Sequence, residues 1–359
     1  MGAKVSKQRQ QGEWSITEPE AAAWNHFVDS HAHGGLLQQT GWGQLKSAFG
    51  WRAHRLAVCD QGGQLLAGAL LLLRPYYGLS VAYTPRGPLF AHDPTINQLL
   101  LDGLTRIARR ARAVMLRIEP ALTEGHPDAD RLHTWLLLQG LHPVATIQPR
   151  STIHVRLDAP EEQILAHCSK GHRADIRRAE RGGVTVRIGT SADLPTFQQI
   201  MEATGTRANF RIHDAAYYQR AWQIFQPRSR LLLAELDGQV VAAHLVFADA
   251  QTGLYLYSGA LEAGLRSGAN HLLAWEALTW ARQLGCTTYD LWGIPDALGR
   301  AATAPDEPTR TALHEAAAAD PLIGVYRFKK GFGGQVVRYL PAYDRVLLPP
   351  LYHLALKRL

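Results

Sequence analysis

The strongest constraint on this chain is an order of elements that occurs twice. Residues 56–73 are two apolar, β-rich runs broken by Asp60-Gln61-Gly62-Gly63, and residues 231–247 are two more broken by Asp237-Gly238, so each reads as a hairpin. A further strand follows each, near Ala82 and near Gly253. Amphipathic helices come next, over 97–112 and 269–284, and then buried strands over 114–118 and 287–292. Matching starts (56 and 231, 97 and 269, 114 and 287) lie 175, 172 and 173 residues apart. Scattered α/β elements would not keep such an offset, so the chain reads as two copies of one hairpin, strand, helix, strand unit. Its 359 residues also exceed what one hydrophobic core serves, roughly 250–300. The expected domains are residues 1–150 and 151–345, with a tail over 346–359 that packs back on the body.

This order resembles the GCN5-related N-acetyltransferase (GNAT) fold, which implies an α/β (α+β) class and two tandem GNAT-like domains. In that fold a Gly-rich turn at a helix N-terminus holds the coenzyme A pyrophosphate through backbone amides. Here Arg266-Ser267-Gly268-Ala269-Asn270-His271 meets the pattern only in part, because Asn270 and His271 carry side chains where close backbone approach wants glycine. In the first copy, residues 92–100 have no such turn. The expectation is a retained fold with its coenzyme site degraded in both halves, and no cofactor.

Composition excludes several classes. With 46% hydrophobic and 19% charged residues the chain is neither disordered nor fibrous. A net charge of +7 favours an anionic partner without choosing one. Cys59, Cys168 and Cys286 are isolated, so neither a disulfide framework nor a zinc site is expected, and no metal. The basic start has no apolar core of a signal sequence, and residues 70–73 are far too short a run to span a bilayer. A cytoplasmic location without an integral membrane segment is therefore expected. Lys170, His172, Arg173, Arg177, Arg178 and Arg181 cluster on one helical pattern that ends at Gly182-Gly183. They form either a solvated face or a polyanion surface. Residues 297–320, rich in Ala, Pro and charge, read as a mobile surface loop with one set of helical turns.

Seven ordered segments carry a second resemblance. They are Gln39-x-x-Trp42-x-x-x-Lys46 with Gly50-Trp51; Tyr83-x-Pro85-Arg86-Gly87-Pro88; Gln148-Pro149-x-Ser151-Thr152; and Lys170-x-x-Arg173-x-x-Ile176-Arg177-x-Ala179 with Gly183-Val184. Tyr257-Ser258-Gly259-Ala260, Tyr289-Asp290-Leu291-Trp292-Gly293-Ile294 and Gly324-Val325-Tyr326-Arg327-Phe328-Lys329-Lys330-Gly331-Phe332 complete the series. Together they resemble the Fem peptidoglycan aminoacyltransferases, from about Trp14 to Tyr352. That resemblance implies an enzyme moving an aminoacyl group from aminoacyl-tRNA to the diamino-acid amine of a stem peptide. The acceptor is either the UDP-linked (UDP-MurNAc-pentapeptide) or the lipid-linked precursor, and DNA is not a partner.

The resemblance assigns roles residue by residue. Lys46 and an arginine, either Arg207 or Arg211, fall at the acceptor diphosphate, a point charge plus a fork suited to two phosphates. Tyr218 and Tyr257 fall near the same groove; Tyr255 and Tyr257 alternate on one strand face, so core packing serves equally. Phe328-Lys329 matches the family's Phe-Lys pair, whose ammonium stabilises the charge that develops as the donor ester is attacked. Lys330 competes by adjacency. Lys170, Arg173 and Arg177 are the tRNA candidates, and Gly182-Gly183 running straight into a strand marks the compact form that lacks a helical arm. Asp290 is either a general base or a backbone cap. Two rivals stay open, an acyl-coenzyme A N-acyltransferase and a non-catalytic RNA-binding protein, as does another amine acceptor with possible peripheral membrane contact through the tail.

Overall fold

A computed structural model describes residues 14–208 and 211–356. The basic start over 1–13 and the last residues of the tail, 357–359, lie outside the described residues. Two compact units divide the chain, one made of 1–148 with 339–359 and the other of 149–338.

The first unit contains β1 (Ser15–Thr17), α1 (Ala21–Ser30), α2 (Thr40–Ala48), β2 (Arg52–Cys59), β3 (Leu65–Tyr76), β4 (Leu79–Thr84), α3 (Pro94–Arg110), β5 (Ala113–Ile118), α4 (Ala129–Leu138) and β6 (His142–Val144). The second contains β7 (Ser151–Arg156), α5 (Glu161–His167), α6 (Lys170–Arg181), β8 (Thr185–Ile188), α7 (Leu194–Ala208), α8 (Ala215–Ile224), β9 (Ser229–Leu236), β10 (Gln239–Ala248) and β11 (Thr252–Ala260). It continues through α9 (Glu262–Ser267), α10 (Ala269–Gln283), β12 (Thr288–Asp290), α11 (Asp296–Ala302), α12 (Glu307–Ala318), α13 (Ile323–Lys330) and β13 (Gln335–Arg338). The chain then returns to the first unit with β14 (Ala342–Val346) and α14 (Pro349–Leu356).

Each unit holds a seven-stranded sheet, ordered β1-β2-β3-β4-β5-β14-β6 and β13-β7-β12-β11-β10-β9-β8. Every pairing is antiparallel except β4 with β5 and β11 with β12. Those parallel pairs are what a strand, crossover helix, strand connection produces, and α3 and α10 are the crossover helices. The repeat is thus physical: β2 and β9, β3 and β10, β4 and β11, α3 and α10, β5 and β12 start between 173 and 177 residues apart. On α3 the apolar residues Leu100, Leu101, Leu104 and Ala108 recur at helical spacing and are buried against Leu56, Val58, Leu71 and Leu116 of the sheet. In the second unit Leu273, Ala277, Leu278 and Trp280 of α10 do the same against Ile153, Val246 and Tyr289.

Three expectations change. Residues 339–345 belong to the first unit, not the second, because β14 is inserted between β5 and β6 and pairs with both. The buried Arg117 guanidinium grips Asp344 of that strand in two 2.7 Å bonds. Residues 297–320 are not a mobile loop but mostly α11 and α12. Ala, Leu, Glu and Arg are helix formers, and Pro308 sits in the first turn behind Asp306, which caps Thr309 N at 2.8 Å, where proline is tolerated. Finally, Tyr255 and Tyr257 do not share a face. The register between β10 and β11 slips between Leu245↔Tyr257 and Phe247↔Leu254, a bulge that interrupts the two-residue alternation.

Candidate functional site

The second unit packs the Phe-Lys pair where α13 meets the turn after β12. Lys329 lies on the last turn of α13 and is only 5% exposed. Its Nζ donates to the Gly293 carbonyl at 2.8 Å and lies 5.8 Å from the centre of the Tyr255 ring. Burial pushes the amine down to about 7, with the nearby Asp290 carboxylate pulling the other way. The site therefore holds a cation that desolvation has made easy to deprotonate.

Asp290 ends β12 and is buried. Its Oδ1 accepts the Trp292 backbone N–H at 2.7 Å and the Thr152 hydroxyl, while His154 Nε2 lies 3.6 Å from Oδ2. Thr152 Oγ1 is also 3.1 Å from the Trp292 carbonyl oxygen. Between these contacts Trp292 takes a left-handed backbone with φ 63, which costs of order 1–3 kcal/mol for a non-glycine residue and persists only when its surroundings fix it. Asp290 thus caps the Trp292 backbone.

Phe328 packs at ring-centre distances of 5.0 Å from His271, 5.3 Å from Phe332 and 5.9 Å from His172. His172, on α6, is held at both nitrogens: Nε2 donates to the Phe328 carbonyl at 2.6 Å and Nδ1 faces Ser169 Oγ at 3.1 Å. Burial lowers its pKa, as suits a neutral ring with one donor and one acceptor. Two of the motif segments seen in the sequence therefore touch, α6 bracing the end of α13.

The same helix packs against the turn that corresponds in sequence to the GNAT pyrophosphate turn. A Cβ at Gly268 would lie 2.4 Å from the Asp175 carbonyl of α6, and His271 Nε2 is 3.5 Å from the Asp175 carboxylate. Asn270 is occupied by His244 at 2.8 Å. The turn over 266–271 thus packs against α6.

The tyrosines form a separate aromatic group on the other face of the sheet. Tyr218 of α8 and Tyr257 of β11 are 5.0 Å apart at their ring centres, and Tyr257 Oη is 3.5 Å from Tyr217 Oη. His213 stacks on Tyr217 at 3.7 Å and its backbone N–H donates to Tyr218 Oη at 3.2 Å. Sequence reasoning missed His213 and Tyr217, although both lie in the segment that supplied Arg211 and Tyr218. Arg207 ends α7 and Arg211 precedes α8; both are exposed, and the structure does not choose between them. On α6, Lys170 and Arg177 are exposed, whereas Arg173 donates to the carbonyls of Ala166 (2.8 Å) and Cys168 at the end of α5.

In the first unit, Lys46 on α2 is half-buried with Nζ 4.8 Å from the Trp42 ring centre. Its backbone carbonyl accepts from Trp51, whose ring lies 6.4 Å from Tyr83. Tyr83 Oη donates to Glu119 at 2.5 Å and accepts from Gln148 Nε2 at 3.1 Å. Glu119 also takes the Ile147 N–H, and burial raises its pKa. Glu119 was not legible in the sequence: it follows an apolar strand and looks like a strand terminus. Arg86, with φ 50, lays its guanidinium 3.7 Å from the Tyr339 ring centre. Among the described residues no cluster of His, Cys, Asp or Glu could hold a metal, and no helix is long and apolar enough to cross a membrane.

The lipid II:glycine glycyltransferases of Staphylococcus aureus strains RF122 / ET3-1 and USA300 are each 26% identical, over 91% of this chain and 92% of theirs. A crystal structure of FemX superposes with a TM-score of 0.82 at 21% identity, covering 95% of this chain and 99% of that one. A tandem GNAT protein from the clavulanic acid pathway superposes at 0.52 with 12% identity, covering 93% and 98%. The fold is therefore two tandem GNAT-like units. The FemAB family matches residues 20–135, 136–240 and 237–356, and the chain belongs to that family.

Proposed function

We propose that this protein is an aminoacyltransferase that moves an aminoacyl group from aminoacyl-tRNA to the diamino-acid side-chain amine of a peptidoglycan stem peptide, building an interpeptide bridge. The observation that carries the reading is the buried Lys329 amine, fixed on Gly293 and beside Asp290 in a family whose relatives are glycyltransferases. The acceptor amine attacks the ester carbonyl; a C–N bond forms, the C–O bond breaks, and the ribose hydroxyl leaves with a proton that the amine gives up. No enzyme nucleophile and no cofactor are needed. What the reaction needs is a cation where negative charge develops on the carbonyl or ribose oxygen, and Lys329 supplies it, with Phe328 shaping the wall.

Lys46 and one of Arg207 and Arg211 hold the acceptor diphosphate, Tyr218 and Tyr257 line its path, and Lys170, Arg173 and Arg177 meet tRNA phosphates. The lipid II named for the relatives favours a lipid-linked acceptor over the UDP-linked one. The enzyme would then work in the cytoplasm, touching the membrane only peripherally. An acyl-coenzyme A donor is disfavoured by the packing of α6 against Gly268.

The test is to incubate the protein with a pool of charged tRNAs and either lipid-linked or UDP-linked pentapeptide and to read product masses. The expected product carries one or more added aminoacyl residues, and acylation from coenzyme A thioesters alone would overturn the reading. Lys329→Met should lower the rate about 10²–10³-fold, the usual effect of removing one such donor, with the acceptor KM nearly unchanged.

A further inference from the structure

We propose that Asp290 and Thr152 form a positioning pair that fixes the turn over 291–293, and through the Gly293 carbonyl the reactive place of Lys329, and that Asp290 is not the general base. This rests on the role given to Lys329 above. A general base needs a free lone pair aimed at the attacking amine. Asp290 Oδ1 already accepts from the Trp292 N–H at 2.7 Å and from the Thr152 hydroxyl, and His154 Nε2 stands 3.6 Å from Oδ2. Those contacts come from the chain's own groups, one backbone N–H and two side chains, and they hold Oδ1 on the turn.

They also hold an unfavourable conformation in place. Trp292 is left-handed, and Thr152 reaches both ends of the constraint, the Asp290 carboxylate and the Trp292 carbonyl. The next carbonyl, Gly293, receives Lys329 Nζ. Gly293 itself is pressed from outside, since a Cβ there would sit 2.9 Å from Pro149. Loss of the brace frees Trp292 to relax toward an ordinary backbone, which turns the Gly293 carbonyl away from the amine. The charge of Asp290 acts in addition, because it favours the ammonium form against the burial that disfavours it. Among the described residues, the Tyr255 ring on β11 faces Lys329, His154 on β7 faces Asp290, Lys330 follows Lys329 on α13 with its Nζ over Tyr326, and His172 and His271 pack on Phe328.

The experiment compares Asp290→Asn, Thr152→Val, Thr152→Ser and Lys329→Met. Two readouts are taken: transfer rate against pH, and the pH titration of Lys329 by trace acetylation with peptide mass spectrometry, which needs no turnover. Asp290→Asn should move the Lys329 titration down by about one unit, within the range typical for loss of one opposite charge, and lower kcat about tenfold or more with the acceptor KM within about twofold. Thr152→Val, which keeps the carboxylate, should lower kcat in the same manner, and Thr152→Ser should restore it. If Asp290→Asn does not fold, Thr152→Val and its rescue decide. An unmoved Lys329 titration in Asp290→Asn, or full activity in Thr152→Val, overturns the proposal. Full activity in Lys329→Met overturns the functional reading instead, and the titration still reports on the brace.

Discussion

Lys329 sits under two opposing demands. To stabilise an oxyanion it must be protonated, yet burial has brought its pKa down to about 7. The acceptor amine must be deprotonated, and an ordinary lysine-type amine titrates near 10.4. Below pH 7 the rate should rise with pH as free acceptor amine accumulates. Between about 7 and 10 the loss of the Lys329 proton cancels that gain, so the profile levels near pH 7. In Lys329→Met the lower rate should continue to rise to about pH 10, because only the acceptor then titrates. A wild-type profile that keeps rising through pH 9 would show that the ammonium form is not the active one. The same shift has a stability sign. From pH 7 to 10 the unfolded chain holds a proton at this lysine that the native protein has lost, so the site's contribution to stability increases with pH. Relative to Lys329→Met, the wild type should gain on the order of 1–3 kcal/mol between pH 7 and 9.5, at most about 1.4 kcal/mol per unit, measured by denaturant unfolding at both pH values.

At the scale of elements, the Lys329 site depends on how α6 meets α13. A Cβ at Gly331 would fall 1.9 Å from the His172 ring, and the Gly331 carbonyl accepts from Ser169 N at 2.7 Å. The imidazole therefore lies directly on the backbone after Lys329, and Gly331→Ala must displace His172 and its bond to Phe328. We expect a loss of about 2 kcal/mol or more, typical of overpacking, together with reduced kcat, whereas Gly324→Ala, which meets open space, should cost little. Equal stability of the two variants would refute this contact as a constraint. This packing joins what was legible in the sequence. Segments such as Lys170 to Ala179 and Phe328 to Phe332, which stood out through the family resemblance, each carry half of one interface. The helices over 296–318 were overlooked although their signals are local, the Asp306 cap, Pro308 in the first turn and an Ala-rich run. The bulge at Tyr255 and the insertion of β14 were not legible, because each depends on a partner distant in sequence that local pattern does not encode. Glu119 was missed for the same reason: only the folded chain brings Tyr83, Ile147 and Gln148 to its carboxylate.

For the whole molecule, the decisive feature is that the first unit is completed by the far end of the chain. Residues 149–338 form the second unit as one continuous stretch, and only then does β14 enter the first sheet between β5 and β6. The buried Arg117 and Asp344 lock that insertion, with Tyr352 Oη donating to Asp344 at 2.7 Å. A buried pair of this kind adds little net stability over an apolar one, but removing one partner strands the other's charge, at about 3–5 kcal/mol. Asp344→Asn should therefore destabilise the first unit by that order. Because two units need not unfold together, a single melting temperature is the wrong measure, and hydrogen exchange resolved by segment is the right one. Amides of β5 and β6 should lose protection in Asp344→Asn while those of β9, β10 and β11 keep theirs. If protection fell equally in both sets, the second unit would depend on the first for its stability, and the late return of the chain would be a fold-wide lock rather than the local closure of one sheet.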